Sequence, residues 1–191
     1  MTGDQGTFCF ARPPRERPLA RSTRLLILAC SRTKTDAPGY QPAGLRYNGP
    51  LWQTLRAVDP DQQLARHSAL SAKHGWISAD EPIKNYDARL TAPLAARILT
   101  CGLLGLPPVK RGTMPSQVHP YCWLASMIVQ AHEQPFSDMA ICAGAAYLDL
   151  AHQLTALAQL EDLIDQAARV VTINAPIGVM RQQLRAWLTA P

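Results

Sequence analysis

A chain of 191 residues, 47% apolar and 17% charged, can bury one sizeable core and is short for two, which excludes a disordered or fibrous protein. No run of about 18 apolar residues occurs, so the sequence offers no membrane span. The head lacks the apolar stretch of a secretory signal, and the expected location is the cytoplasm.

Charge is unevenly distributed. Residues 1–24 hold five arginines against Asp4 and Glu16, and residues 25–111 hold eleven basic side chains against six acidic ones. Residues 112–191 are net acidic, with three arginines against six carboxylates. A basic half rich in polar loops suits an anionic partner such as a nucleic acid or nucleotide, although a solvated basic face has the same composition. Five cysteines, an odd set with no C-x-x-C pair, argue against a disulfide framework and a zinc knuckle. Cys30, Cys122 and Cys142 lie in apolar runs and read as small core residues.

The segment 1–23, rich in Pro and Arg without an apolar period, is expected to be a flexible or extended basic arm. Residues 24–191 then form a single domain. Leu25 to Ala29 are a continuous apolar run bounded by polar residues, as in a buried strand. A polar loop follows, with Gly39, Gly44 and Gly49 as hinges. Pro50 opens a helix that places Leu51, Leu55 and Val58 on one face. "HSALSAKHG" is a second buried strand, and residues 76–93 form a long loop punctuated by Pro82 and Pro93. "LAARILTCGLL" is a short helix, "GLPPVKRGTMP" a loop, and "SQVHPYCWLASMIVQAHEQ" an amphipathic helix capped by Ser116. "DMAICAG" is a third strand, turning at Gly144 into the helical "AAYLDLAHQLTALAQL". "ARVVTINAP" is a fourth strand, and "IGVMRQQLRAWL" a closing helix.

Strands alternating with helices give an α/β fold: a single three-layer domain with a mostly parallel central sheet flanked by helices. In such sheets ligands sit outside the carboxyl ends of the strands. Three strands end there in polar or small residues: Cys30, Ser31 and Arg32 with Lys34; Ser71, Lys73, His74 and Gly75; and Gly144.

The "ACSRTKTD" turn can expose backbone N–H groups to an anion, with Arg32 and Lys34 adding charge. It is neither a Walker A loop nor a G-x-G-x-x-G turn, and no cofactor signature appears elsewhere. Lys73 and His74 supply donors at a strand end, where burial lowers a lysine's pKa. Tyr86 offers a ring and a hydroxyl, and Asp87 a carboxylate. Each also has a bland role: His74 as a hydrogen-bonded structural histidine, Asp87 as a turn or helix cap. Gly144 frees the N–H groups of the following helix to face a ligand, and Tyr147, one turn in, forms either a pocket wall or core. His119, His132 and His152 lack ligand spacing, so no metal site is expected, and no G-x-S-x-G elbow exists.

Read together, these pieces resemble a family of small bacterial domains of the DUF6884 type. Its pattern is a strand ending Cys-Ser-x-x-Lys (Cys30, Ser31, Lys34) and a Tyr-x-Gly helix start followed by an aromatic residue (Tyr47, Gly49, Trp52). Ser-Ala-Lys-His-Gly (Ser71 to Gly75), Tyr-Asp (Tyr86, Asp87) and a late Gly–Tyr element (Gly144, Tyr147) complete it. The resemblance spans about residues 25–187 and leaves out the basic head and the "GLPPVKRGTMPSQVHPYCW" insert. It implies a uracil-DNA-glycosylase-like fold and similarity to phage-defence DNA glycosylases acting on hypermodified pyrimidines such as glucosylated hydroxymethylcytosine. The implied partner is DNA, with no cofactor and no membrane. Cys30, Ser31, Arg32, Lys34 and Gly144 would grip phosphates, with Ser71 and Tyr147 also lining the substrate site. Tyr86 or Tyr47 would stack on a flipped base. Asp87 would stabilise the sugar cation or orient water, and His74 or Lys73 the departing base, with Lys73 as an alternative Schiff-base nucleophile. Two other readings stay open: an enzyme processing free nucleotides or nucleosides, and a non-catalytic DNA-binding module of a stress response.

Overall fold

The computed structural model describes residues 23–103 and 134–190. The basic arm expected over residues 1–23 (all but its last residue), the loop expected over residues 105–115 and the helix expected from Ser116 lie outside them, as do His119 and His132.

The apolar run after Thr23 becomes β1 (Arg24–Ala29), whose four central residues are fully buried. β1 is the middle of a five-stranded sheet of order β4-β3-β1-β6-β7. Its neighbours β3 (Arg66–Ser71) and β6 (Phe136–Cys142) both run parallel to it, and β7 (Ile164–Ile173) runs parallel to β6. The chain thus leaves β1 toward one side to make β3 and reaches the other side with β6. β1 is therefore the switch point of an open α/β sheet, and the crevice at its carboxyl end is where such sheets bind ligands.

Strand alternation sends successive β1 residues to opposite faces, which gives two cores. Leu26 and Leu28 face α2 (Pro50–Val58) and α5 (Ile177–Thr189), packing with Trp52, Leu55, Leu184 and Trp187. Leu25 and Ile27 face α3 (Ala92–Cys101) and α4 (Ala145–Leu160), packing with Trp76, Ile98, Leu150 and Leu154. Helices on both faces of a mostly parallel sheet make three layers, as the alternation of elements requires.

Two features depart from the expected elements. "HSALSAKHG" is not one strand: β3 stops at Ser71, and β4 (Gly75–Ser78) returns antiparallel beside it. Gly75, at φ +70°, takes the left-handed conformation that the hairpin needs at its first returning residue. The loop before α2 carries structure of its own. A short helix α1 (Ala43–Arg46) follows β2 (Gln41–Pro42), which pairs with β5 (Pro82–Ile83) and so draws residues 76–93 toward residues 31–49.

Candidate functional site

The carboxyl end of β3 is tied to the long loop after β1 by a chain of hydroxyls. Ser71 closes β3, and its Oγ accepts the amide N–H groups of Lys73 (3.2 Å) and His74 (3.1 Å). With both lone pairs so used, its O–H remains to donate, and Tyr86 Oη lies 2.7 Å away. Tyr86 in turn lies 2.7 Å from Tyr47 Oη, so one directional chain runs Ser71 to Tyr86 to Tyr47. Burial first, then Cys30, raises the Tyr47 phenol far above its ordinary range. Burial first, then Tyr47 and Cys30, does the same for Tyr86. Both phenols therefore act as neutral hydroxyls.

Around the Tyr86 ring stand three nitrogen-bearing side chains. Lys34 Nζ is 4.3 Å from its centroid and Lys73 Nζ 5.3 Å, and the His74 ring meets it edge-on at 5.1 Å. His74 is 6% exposed. Burial, then the Lys73 ammonium, holds its imidazole down to about 4, so it is neutral at pH 7. Lys73 itself is exposed. The burial expected to activate its amine is absent.

Lys34 reaches the ring because its segment is pinned. Lys34 and Tyr47 form an antiparallel bridge, flanked by Thr35 N–H to Arg46 O (2.9 Å) and Asn48 N–H to Thr33 O (2.9 Å). Ser31 is part of this closure rather than a free ligand: its Oγ accepts the Gly49 amide at 3.1 Å and donates to Thr33 O. A Cβ on Gly49 would sit 2.6 Å from Ser31 Cβ, so the approach admits only glycine. The turn after Cys30 is thus a stapled loop. The Thr35 amide, at least, is turned inward rather than offered to an anion.

The other expected residues fall as follows. Cys30 Sγ lies 3.2 Å from Tyr147 Oη, which also accepts the Ala72 amide, so Tyr147 joins α4 to the ends of β1 and β3. Tyr47 has no exposed surface and cannot stack on a base; it backs Tyr86 and packs on Trp52 at 5.2 Å between centroids. Gly144 caps α4 at φ −71° with open space where a Cβ would stand, so the turn does not depend on glycine. Arg32 and Asp87 are exposed. Asp87 follows Tyr86 in the chain, and its carboxylate has no hydrogen bond or ion pair with another described residue.

Two arginines that sequence reasoning passed over shape the site. Arg46 is fully buried and donates to the carbonyls of Thr35, Ala37 and Gly39, clamping the loop that carries Lys34. Arg56 donates to the carbonyls of Gly44 and Tyr47 at 2.7 Å each. Neither has a sequence signal, because an arginine that binds backbone carbonyls is indistinguishable in sequence from any helix-surface arginine. Both add to the positive excess that argues for an anionic partner. Arg66, at the opposite end of β3 from Ser71, is also buried, at 1% exposed.

Among the described residues no group of three or more His, Cys, Asp or Glu could hold a metal ion, and no helix is long and apolar enough to cross a membrane. Comparison with protein-family models, with curated proteins and with solved structures returns no match.

Proposed function

We propose that this chain is a DNA glycosylase, hydrolysing the N-glycosidic bond of a modified base to leave an abasic site, on a uracil-DNA-glycosylase-like variant of its α/β fold. The observation that carries the reading is the meeting of Lys34, Lys73, His74 and Tyr86 at the switch point, with the unpaired Asp87 carboxylate one residue further on. Breaking the C1′–N bond leaves positive charge on the sugar and an electron pair on the base. In this reading a nucleotide flipped from the stack, at a cost of a few kcal/mol, enters the crevice. Asp87 faces the developing sugar cation and orients the water that adds to C1′. His74, neutral at pH 7, donates a hydrogen bond to the departing base, and the proton released by the water ends on that base. Tyr86 is fixed by Ser71 and Tyr47, so it forms a rigid wall. Attack on C1′ by Lys73 ranks second to attack by water.

The test is strand scission after mild alkali on duplexes that are unmodified, uracil-containing or glucosylated at hydroxymethylcytosine. Wild type makes an alkali-labile site on one modified duplex, and Asp87→Asn loses it by at least about a hundredfold, the span of a positioned acid–base group. Alkali-labile product formed equally by Asp87→Asn removes the carboxylate from the mechanism. Scission without alkali returns Lys73 to the role of nucleophile.

A second reading, hydrolysis of a free nucleoside or nucleotide, draws on the inward-turned Arg46, Arg56 and Arg66, which leave less basic surface for a polymer. It expects removal of residues 1–22 to leave turnover unchanged, whereas the DNA reading expects weaker, less salt-sensitive binding.

A further inference from the structure

Two ammonium groups share the ring of Tyr86, and Lys34 Nζ also reaches the Arg32 carbonyl at 3.5 Å. Each cation gains roughly 0.5–1 kcal/mol from the face of an exposed ring, while two like charges brought to one ring repel. Neither Lys34 nor Lys73 has an ion pair with a carboxylate among the described residues. Asp87, the nearest acid in sequence to Tyr86, does not neutralise either of them.

The pair is also held in place. The Lys34 backbone is bridged to Tyr47, the Lys73 amide is bonded to Ser71 Oγ, and the ring between them is bonded to both Tyr47 and Ser71. Backbone contacts therefore hold the segment that carries each lysine, and two hydroxyls hold the ring. Two ammonium groups without a carboxylate partner among the described residues, carried to one ring from the ends of β1 and β3, favour an anionic ligand at the switch point.

We propose that Lys34 and Lys73 form a phosphate clamp over Tyr86, taking a phosphate group of the substrate and leaving Asp87 and His74 to the sugar and base. The clamp rests on the nucleotide-directed reading above, but it does not need turnover. It makes Lys73 a binding residue. The phosphate is either the diester beside the target nucleotide or the monoester of a free nucleotide, and both carry the oxygens that two ammonium groups bind.

The experiment measures affinity of the full-length protein for a fluorescent single-stranded oligodeoxynucleotide and, separately, for a labelled deoxynucleoside monophosphate, across a salt series. Lys34→Gln and Lys73→Gln are compared with Lys84→Gln, whose ammonium lies over Tyr40 instead. Each clamp variant is expected to lose about tenfold in affinity and about one unit of salt slope for one of the two ligands, while Lys84→Gln matches wild type. Loss on the oligonucleotide identifies a diester, and loss on the monophosphate alone identifies a monoester. Unchanged affinity and slope in both clamp variants for both ligands overturns the clamp, as does an equal loss in Lys84→Gln. A clamp that binds, in a protein that releases no base from any duplex, leaves the clamp standing and removes the glycosylase reading.

Discussion

Ser71 carries three hydrogen bonds on one hydroxyl, to two backbone amides and to Tyr86; its removal strips both amides of this acceptor and leaves Tyr86 bonded to Tyr47. Leaving buried donors unsatisfied costs about 1–3 kcal/mol, so Ser71→Ala is expected to lose that much stability in urea titration while Ser71→Thr loses less. His74 has a signature in pH. Its imidazole takes a proton near 6.5 in the unfolded chain and near 4 in the folded one. Between those values the unfolded chain holds more protons, so stability rises with pH across that window. The burial of neutral His74 carries no penalty above pH 6.5, and acidification to pH 4 removes up to ~3 kcal/mol. The lowered carboxylates Asp59 and Asp138 act in a different window: their contribution is present above 3.8 and lost only as pH falls through their lower folded values. Replacing His74 with Leu is expected to flatten stability between pH 6.5 and 4 in denaturant titrations, leaving the fall below pH 4. An unchanged slope contradicts the buried neutral imidazole.

At the scale of elements, close approach and anchoring decide the geometry. Gly49→Ala places a methyl 2.6 Å from Ser31 Cβ at an ordinary φ of −73°, so its cost is steric and not conformational. The loop must move from α2, with a loss of about 1–3 kcal/mol read as a lower Tm. At the other end of the sheet, Asp138 joins β1, β7 and α5 through Arg24 (3.0 Å), Arg169 (2.8 Å) and Trp187 (3.3 Å). Arg24 also lies over the Trp187 ring at 4.3 Å. Asp138→Ala is expected to cost about 1–3 kcal/mol in chemical denaturation, whereas Arg169→Ala, at an exposed and solvent-screened pair, costs clearly less. Equal losses would show that the anchor is the exposed pair. The helices over Pro50–Val58 and Ala145–Leu160 are readable from the sequence, because Pro50 and Gly144 mark their starts. The hairpin of β3 and β4 is not. Only three residues separate the two strands, and Asp80, Glu81 and Pro82, directly after β4, make its surroundings read as a loop.

For the whole molecule, alternating apolar runs are enough to specify a mostly parallel sheet with helices on both faces, since few arrangements bury such runs. They also bring Lys34, Lys73, His74 and Tyr86 to one end. The hydroxyl chain that joins them is beyond reach, because it depends on β2 pairing with β5, two residues each, with no periodicity to read. Net charge is the least direct guide. Arg24, Arg46, Arg56 and Arg66 serve the interior, and the cations left at the switch point are few and specific. Base removal at that crevice is tested by mass-spectrometric detection of free base released from DNA containing glucosylated hydroxymethylcytosine, with unmodified DNA and Asp87→Asn alongside. Release of the modified base by wild type, with a matching abasic sugar and little from Asp87→Asn, is the expected result. Intact DNA after prolonged incubation, under conditions where the protein binds it, would contradict the claim.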